Sequence, residues 1–160
     1  MRLLPIALVS LTLLGNGTSP PEDPVKEIQA VLTDFHAAAA QADADRYLGY
    51  LAEDAILFGT DGAERWTFAE YEALVRPYLE QGVKIENHPV EQHVFVSADE
   101  HLAWFDERLD KPKYGAMRAT GVLRHTDEGW KFVQFHLAYP VPNEILPDVV
   151  KLARAAQHGR

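Results

Sequence analysis

The groups that could do chemistry gather in two stretches. One is the polar loop Gly59-Thr60-Asp61-Gly62-Ala63-Glu64-Arg65-Trp66; the other is the run His101–Tyr139, which carries Asp106, Glu107, Arg118 and His136. Histidine is the side chain best matched to moving a proton near neutral pH, so His136 is the first candidate. In Trp130-Lys131-Phe132-Val133-Gln134-Phe135-His136-Leu137 strict alternation puts it on a face with Trp130, Phe132, Gln134 and Ala138. Both faces of that strand are apolar, so His136 is expected to be at least partly buried, as a proton shuttle or as a core histidine held by one hydrogen bond. Asp106 and Glu107 point to opposite faces of their strand, and Glu107 has the more apolar company in Ala103, Phe105 and Leu109. A carboxylate there needs a partner, and Arg118 on the next strand is the expected one. Such a pair either holds a ligand's polar group or satisfies itself, the latter being the commoner outcome.

Three further candidates lie outside that run. His36 stands about 80° around the first helix from the centre of its apolar face, at a cavity edge or on the helix surface. Asp61, Glu64 and Trp66 belong to a loop that could carry binding residues. The same loop also reads as a helix start, because Trp66 and Tyr71 flank the Thr67 cap at hydrophobic-staple spacing. Asp106, Arg118, His36, Asp61, Glu64 and Trp66 are therefore candidate ligand-binding residues, with His136 and Glu107 as candidate catalytic ones. Seven histidines show no His-x-x-x-His pair, and neither a metal nor an organic cofactor is expected. The absence of cysteine excludes thiolate catalysis and disulfides. A formal charge of −9 argues against nucleic acid as a partner.

The elements that must position these groups are legible in the periodicity. Asp23 caps a helix with Pro24 at its first position, and Val25, Ile28, Val31, Leu32, Phe35, Ala39 and Ala42 give it one apolar face. Asp43 starts a short second helix, and Ala55 to Gly59 reads as a brief strand. Thr67-Phe68-Ala69-Glu70 is a capping box that opens a third helix, which Pro77 should kink and Gly82 should end. Beyond Gly82 the period falls to two, predicting strands at Lys84–Ser97, His101–Leu109, Ala116–Thr126 and Trp130–Tyr139. A last helix starts near Asn143. Helices, an antiparallel sheet and a closing helix make an α+β fold of one domain.

The N-terminus reads differently. Met1-Arg2, the apolar run Leu3–Leu14 and Gly15-Asn16-Gly17 have the layout of a secretory signal, and the run is shorter than the roughly 20 residues a membrane span needs. The expected division is a signal peptide over 1–17, a Pro-rich tether over 18–24 and a domain over 25–160. The mature chain would then be periplasmic or secreted, without a membrane segment.

The element order, with Gly59-Thr60-Asp61, Glu64-Arg65-Trp66, Ala103-Trp104-Phe105-Asp106-Glu107, Gly121-Val122-Leu123 and Gly129-Trp130-Lys131, resembles a SnoaL-like domain of the nuclear transport factor 2-like superfamily. The resemblance covers roughly residues 25–155. It implies a cystatin-like cone, in which a curved, mostly antiparallel sheet wraps the N-terminal helices around one central cavity, commonly as a homodimer through the outer sheet face. Superfamily members include ketosteroid isomerase, scytalone dehydratase, limonene epoxide hydrolase and polyketide cyclases, and the catalytic aspartates and tyrosine of ketosteroid isomerase have no match here. The leading expectation is thus an exported protein binding a hydrophobic or amphipathic small molecule. The alternatives are a cofactor-free acid–base enzyme (isomerase, dehydratase, cyclase or epoxide hydrolase) and a homodimeric assembly module with a vestigial cavity.

Overall fold

A computed structural model describes residues 23–158; the expected signal peptide lies outside them. The order is α1 (Pro24–Gln41), α2 (Ala44–Gly49), β1 (Leu51–Phe58), β2 (Arg65–Thr67), α3 (Phe68–Glu80), β3 (His88–Val96), β4 (Leu102–Lys111), β5 (Gly115–Thr126), β6 (Gly129–Ala138) and α4 (Leu146–His158). The strands form one sheet in the order β2-β1-β6-β5-β4-β3. Every pairing is antiparallel except β1 with β6. The α+β class, the mostly antiparallel sheet and the C-terminal helix are as expected.

Local chemistry explains the boundaries. Asp23 caps α1 by accepting the Val25 amide at 3.1 Å, and Asp43 caps α2 by accepting that of Arg46 at 3.2 Å. In the capping box of α3 the Thr67 and Glu70 side chains each accept the other's backbone amide. Pro77 falls in the last turns of α3, and the chain leaves through Gly82 at φ 79°. There Gly82 N–H bonds Leu79 O at 2.8 Å and Val83 N–H bonds Tyr78 O at 3.0 Å, the paired bonds of a glycine-terminated helix. Three strands differ from expectation: β1 starts at Leu51, four residues before the expected Ala55. β3 begins at His88 rather than Lys84, because the preceding segment ties to the end of α1 through Ile85 N–H and Ala39 O. β2, too short to show a period, pairs Arg65–Thr67 with the end of β1.

The core lies between α1 and the sheet. Ile28, Leu32, Phe35 and Ala39 are buried on α1 and meet Phe105, Leu109, Leu123 and Phe132. Phe35 is the hub: its ring centroid is 4.5 Å from Tyr47, 4.6 Å from Phe132 and 5.5 Å from Phe135. Gly121 makes room for Phe105, whose ring would come within 2.6 Å of an added Cβ.

Candidate site at the α1–β3 groove

Next to Phe35 on α1 stands His36, buried at 4% exposure. On β4 the buried residues are Ala103, Phe105, Glu107 and Leu109, so alternation carries Glu107 into the core at 1% exposure and turns Asp106 outward. The two inward groups meet, with His36 Nε2 2.7 Å from Glu107 Oε1. Gln92, directly opposite Glu107 in the β3–β4 register, donates from Nε2 to Glu107 Oε2 at 3.1 Å. Asn87, just before β3, places Nδ2 3.4 Å from His36 Nδ1.

These contacts assign hydrogens. Both carboxylate oxygens of Glu107 accept, so His36 Nε2–H is a donor. With Nδ2 of Asn87 facing it, Nδ1 is left as the acceptor. A carboxylate this deep is costly unless its lone pairs are filled and a countercharge is near. Gln92 and His36 fill the lone pairs, and His36 supplies the charge whenever its ring holds two protons. The histidine of the pair is reached from outside: a groove of about 450 Å³ between α1 and β3 is lined by Thr33, His36, Pro89, Val90, Glu91 and Gln92. Its shape follows from a register shift in β3 between Pro89 and Glu91, where the strand bulges.

The other sequence candidates lie elsewhere. The expected Glu107–Arg118 pair does not form, because the β4–β5 register sets Glu107 against Ala119 and Arg118 against Arg108. Arg118 therefore faces out and is exposed. Asp106 is on the same outer face, 3.3 Å from His93 Nδ1. His136 is exposed rather than buried. The β5–β6 register jumps between Val122, opposite Gln134, and Leu123, opposite Phe132, so Val133 is an extra residue. Trp130 and Phe132 point inward before this bulge and Phe135 after it, which reverses the parity and turns His136 outward.

In the 59–64 loop the side chains serve the loop. Glu64 Oε2 accepts the Asp61 amide at 3.0 Å, and Asp61 Oδ1 accepts that of Ala63 at 2.8 Å. An added Cβ on Gly59 would stand 2.1 Å from Glu64 Oε2, so only glycine lets that carboxylate fold over. Trp66 packs on Tyr71 with ring centroids 5.9 Å apart, closing the staple of α3. His136, Asp61 and Glu64 do share a recess, but it holds only about 150 Å³.

Two polar features offer less. A depression of about 780 Å³ contains Arg76, Arg124 and Lys131, each already engaged. Arg76 bonds Asp45 and Glu72, Arg124 bonds both oxygens of Asp54, and Lys131 meets Glu128. Inside the cone the Tyr47 and Tyr71 hydroxyls lie 2.7 Å apart, and burial pushes both phenols up. Among the described residues no group of three ligating side chains could hold a metal ion, and no helix is long and apolar enough to cross a membrane. Gln92 and Asn87 escaped the sequence reading. Gln92 follows from strand parity once the bulge in β3 is known, whereas Asn87 lies in irregular chain and carries no periodic signal.

Comparison with known proteins agrees with this architecture. The model of a SnoaL-like domain matches residues 28–142. An NTF2-like protein of unknown function from Pseudomonas putida KT2440 superposes with a TM-score of 0.61 at 18% identity, over 75% of this chain and 89% of that one. A provisionally assigned dehydratase of the NTF2-like family from Streptomyces avermitilis gives 0.64 at 18% identity, over 74% and 96%. A cystatin-like protein of unknown function from Nostoc punctiforme gives 0.57 at 14% identity, over 71% and 88%. Identities this low speak for the fold alone, and no curated protein matches. With the family model spanning both the helical layer and the sheet, the chain belongs to the SnoaL-like domain family and has the NTF2-like cone fold.

Proposed function

We propose that this is an exported protein that binds a hydrophobic or amphipathic small molecule in the α1–β3 groove, with His36 at its polar end. The observation that carries this is the groove itself, a several-hundred-Å³ depression ending on a buried histidine that is backed by a carboxylate. Pro89 and Val90 offer apolar contact, while Thr33 and Gln92 offer hydrogen bonds. The test is displacement of an anilinonaphthalene sulfonate probe by a panel of hydrophobic alcohols, ketones and acids. Thr33 is exposed, so Thr33→Trp fills the groove without entering the core. At least a tenfold loss of affinity in that variant, at unchanged Tm, is expected. Unaltered binding in folded Thr33→Trp protein would move the ligand elsewhere.

The 2.7 Å contact between His36 and Glu107 favours a second reading, cofactor-free acid–base chemistry on the same ligand. Glu107 would orient the imidazole and balance its charge, and the proton would come and go at Nδ1, where the ligand would take the place of the long 3.4 Å contact from Asn87. In the isomerisation of a carbonyl compound such a group would take a proton from one carbon and return it to another, and Thr33 or Gln92 would donate to the enolate oxygen formed in between. Turnover by the wild type that persists in His36→Gln would eliminate this reading while leaving binding intact.

Homodimerisation completes the proposal. The outer sheet face carries Phe95 and Trp104, 46% and 47% exposed, whose rings stack 5.8 Å apart. Leu102 is exposed and Val122 lies opposite Trp104. Apolar side chains presented together on one sheet face suit a second copy of the same face.

A further inference from the structure

Asn87 and His36 make a contact with an unusual freedom. The amide Nδ2 faces His36 Nδ1 at 3.4 Å, at the long limit of a hydrogen bond, while the amide oxygen Oδ1 is buried and meets no hydrogen-bond donor. Nothing at Oδ1 therefore anchors the amide in the orientation it has. An amide turned by half a rotation about its last bond has nearly the same shape. What decides between the two orientations is the imidazole nitrogen in front of it. A neutral ring with its hydrogen on Nε2 presents a lone pair at Nδ1 and calls for Nδ2. A doubly protonated ring presents N–H there and calls for Oδ1.

From this we infer that Asn87 is a two-position partner that reads the charge of His36, its amide turning over as Nδ1 gains or loses a proton. The bond from Nε2 to Glu107 is kept in both states, so the ring holds its place while its charge changes. The cost of burying the imidazolium is thereby reduced twice, by Glu107 on one side and by Oδ1 on the other. The charged and polar groups around the ring are few. Glu107 faces it from β4, and Glu91 and Gln92 share its groove from β3. Thr33 lines the same groove from α1, and Phe35 separates the ring from Tyr47 of α2 and Phe132 of β6. The inference rests on the reading of His36 as the group that serves the groove, and it adds a positioning residue to that site.

The experiment is heteronuclear NMR on the full domain without ligand, following the imidazole nitrogens of His36 and the side-chain amide of Asn87 against pH. In the wild type the Asn87 amide protons should shift with the same midpoint as His36, with the Nε2-protonated tautomer above it. Asn87→Asp, which offers an acceptor only, should move the His36 midpoint upward by at least tenfold in proton concentration. Asn87→Leu should move it downward by a similar factor, and the exposed His93 and His136 should stay unmoved in both. An Asn87 amide indifferent to the His36 titration in the wild type would overturn the inference, even if neither variant folds. So would an unchanged midpoint in folded variants. Failure of ligand binding in the groove leaves this readout intact, so the two ideas fall separately.

Discussion

Removing either member of the His36–Glu107 pair leaves the other stranded in the core with part of its hydrogen bonding gone. Glu107→Ala or His36→Ala should cost about 3–5 kcal/mol in urea unfolding, whereas the double replacement by leucine should recover much of that loss. Single-variant costs below about 1 kcal/mol would mean that water already reaches and solvates the pair. A second residue cluster sets a pH dependence. The Arg46 guanidinium beside Asp34, helped by the Tyr50 hydroxyl at 2.5 Å, holds the Asp34 carboxyl down at about 2. The folded value lies below the ordinary 3.8, so this stability is complete above about pH 5 and fades as pH falls towards 2. Asp34 is partly exposed, so solvent screens the effect and it should be modest. Acid unfolding of Asp34→Asn, compared with wild type between pH 5 and 2, should show a shallower slope; parallel curves would remove Asp34 from the acid response.

At the scale of elements, bulges and caps matter more than propensity. The Thr67 cap is worth about 1 kcal/mol, read as the stability lost in Thr67→Ala. Gly121→Ala would force a methyl against Phe105 and the Gln134 carbonyl, costing about 1–3 kcal/mol in the same assay. Helix starts, the sheet's antiparallel run and the inward turn of Glu107's face were legible in the chain, because caps and a period of two are local chemistry. The exposure of His136 was not. One extra residue at Val133 reverses every side chain after it, and no local preference in Phe132-Val133-Gln134 announces the slip. The partner of Glu107 was hidden for a related reason. Arg118 is near in sequence order but one register position out of phase, while His36 arrives from a helix seventy-one residues away. Pairing across that distance depends on how α1 docks, which the strand pattern does not contain.

At the scale of the whole molecule, the outer face and the N-terminus carry the remaining expectations. Trp104→Asp should convert a dimer to a monomer in sedimentation velocity at micromolar concentration with the groove's ligand affinity unchanged; a wild type already monomeric there would dismiss the sheet-face dimer. Expression of the full chain in a bacterium should yield periplasmic protein whose first residue lies near Thr18, and a cytoplasmic product beginning at Met1 would reverse the assignment of residues 1–17. The sheet order has a consequence in time. Strands β3 to β6 form a meander of near neighbours, whereas β1 must find β6 across the rest of the domain, setting Leu57 beside Phe135. Closing so large a loop is slow, so the meander should assemble early and β1 should dock late. In a chevron experiment, Leu123→Ala should chiefly slow refolding and Leu57→Ala should chiefly speed unfolding. Until β1 arrives, β6 has an open edge beside Phe132 and Phe135, and that interval is when the chain is most exposed to pairing with another copy of itself.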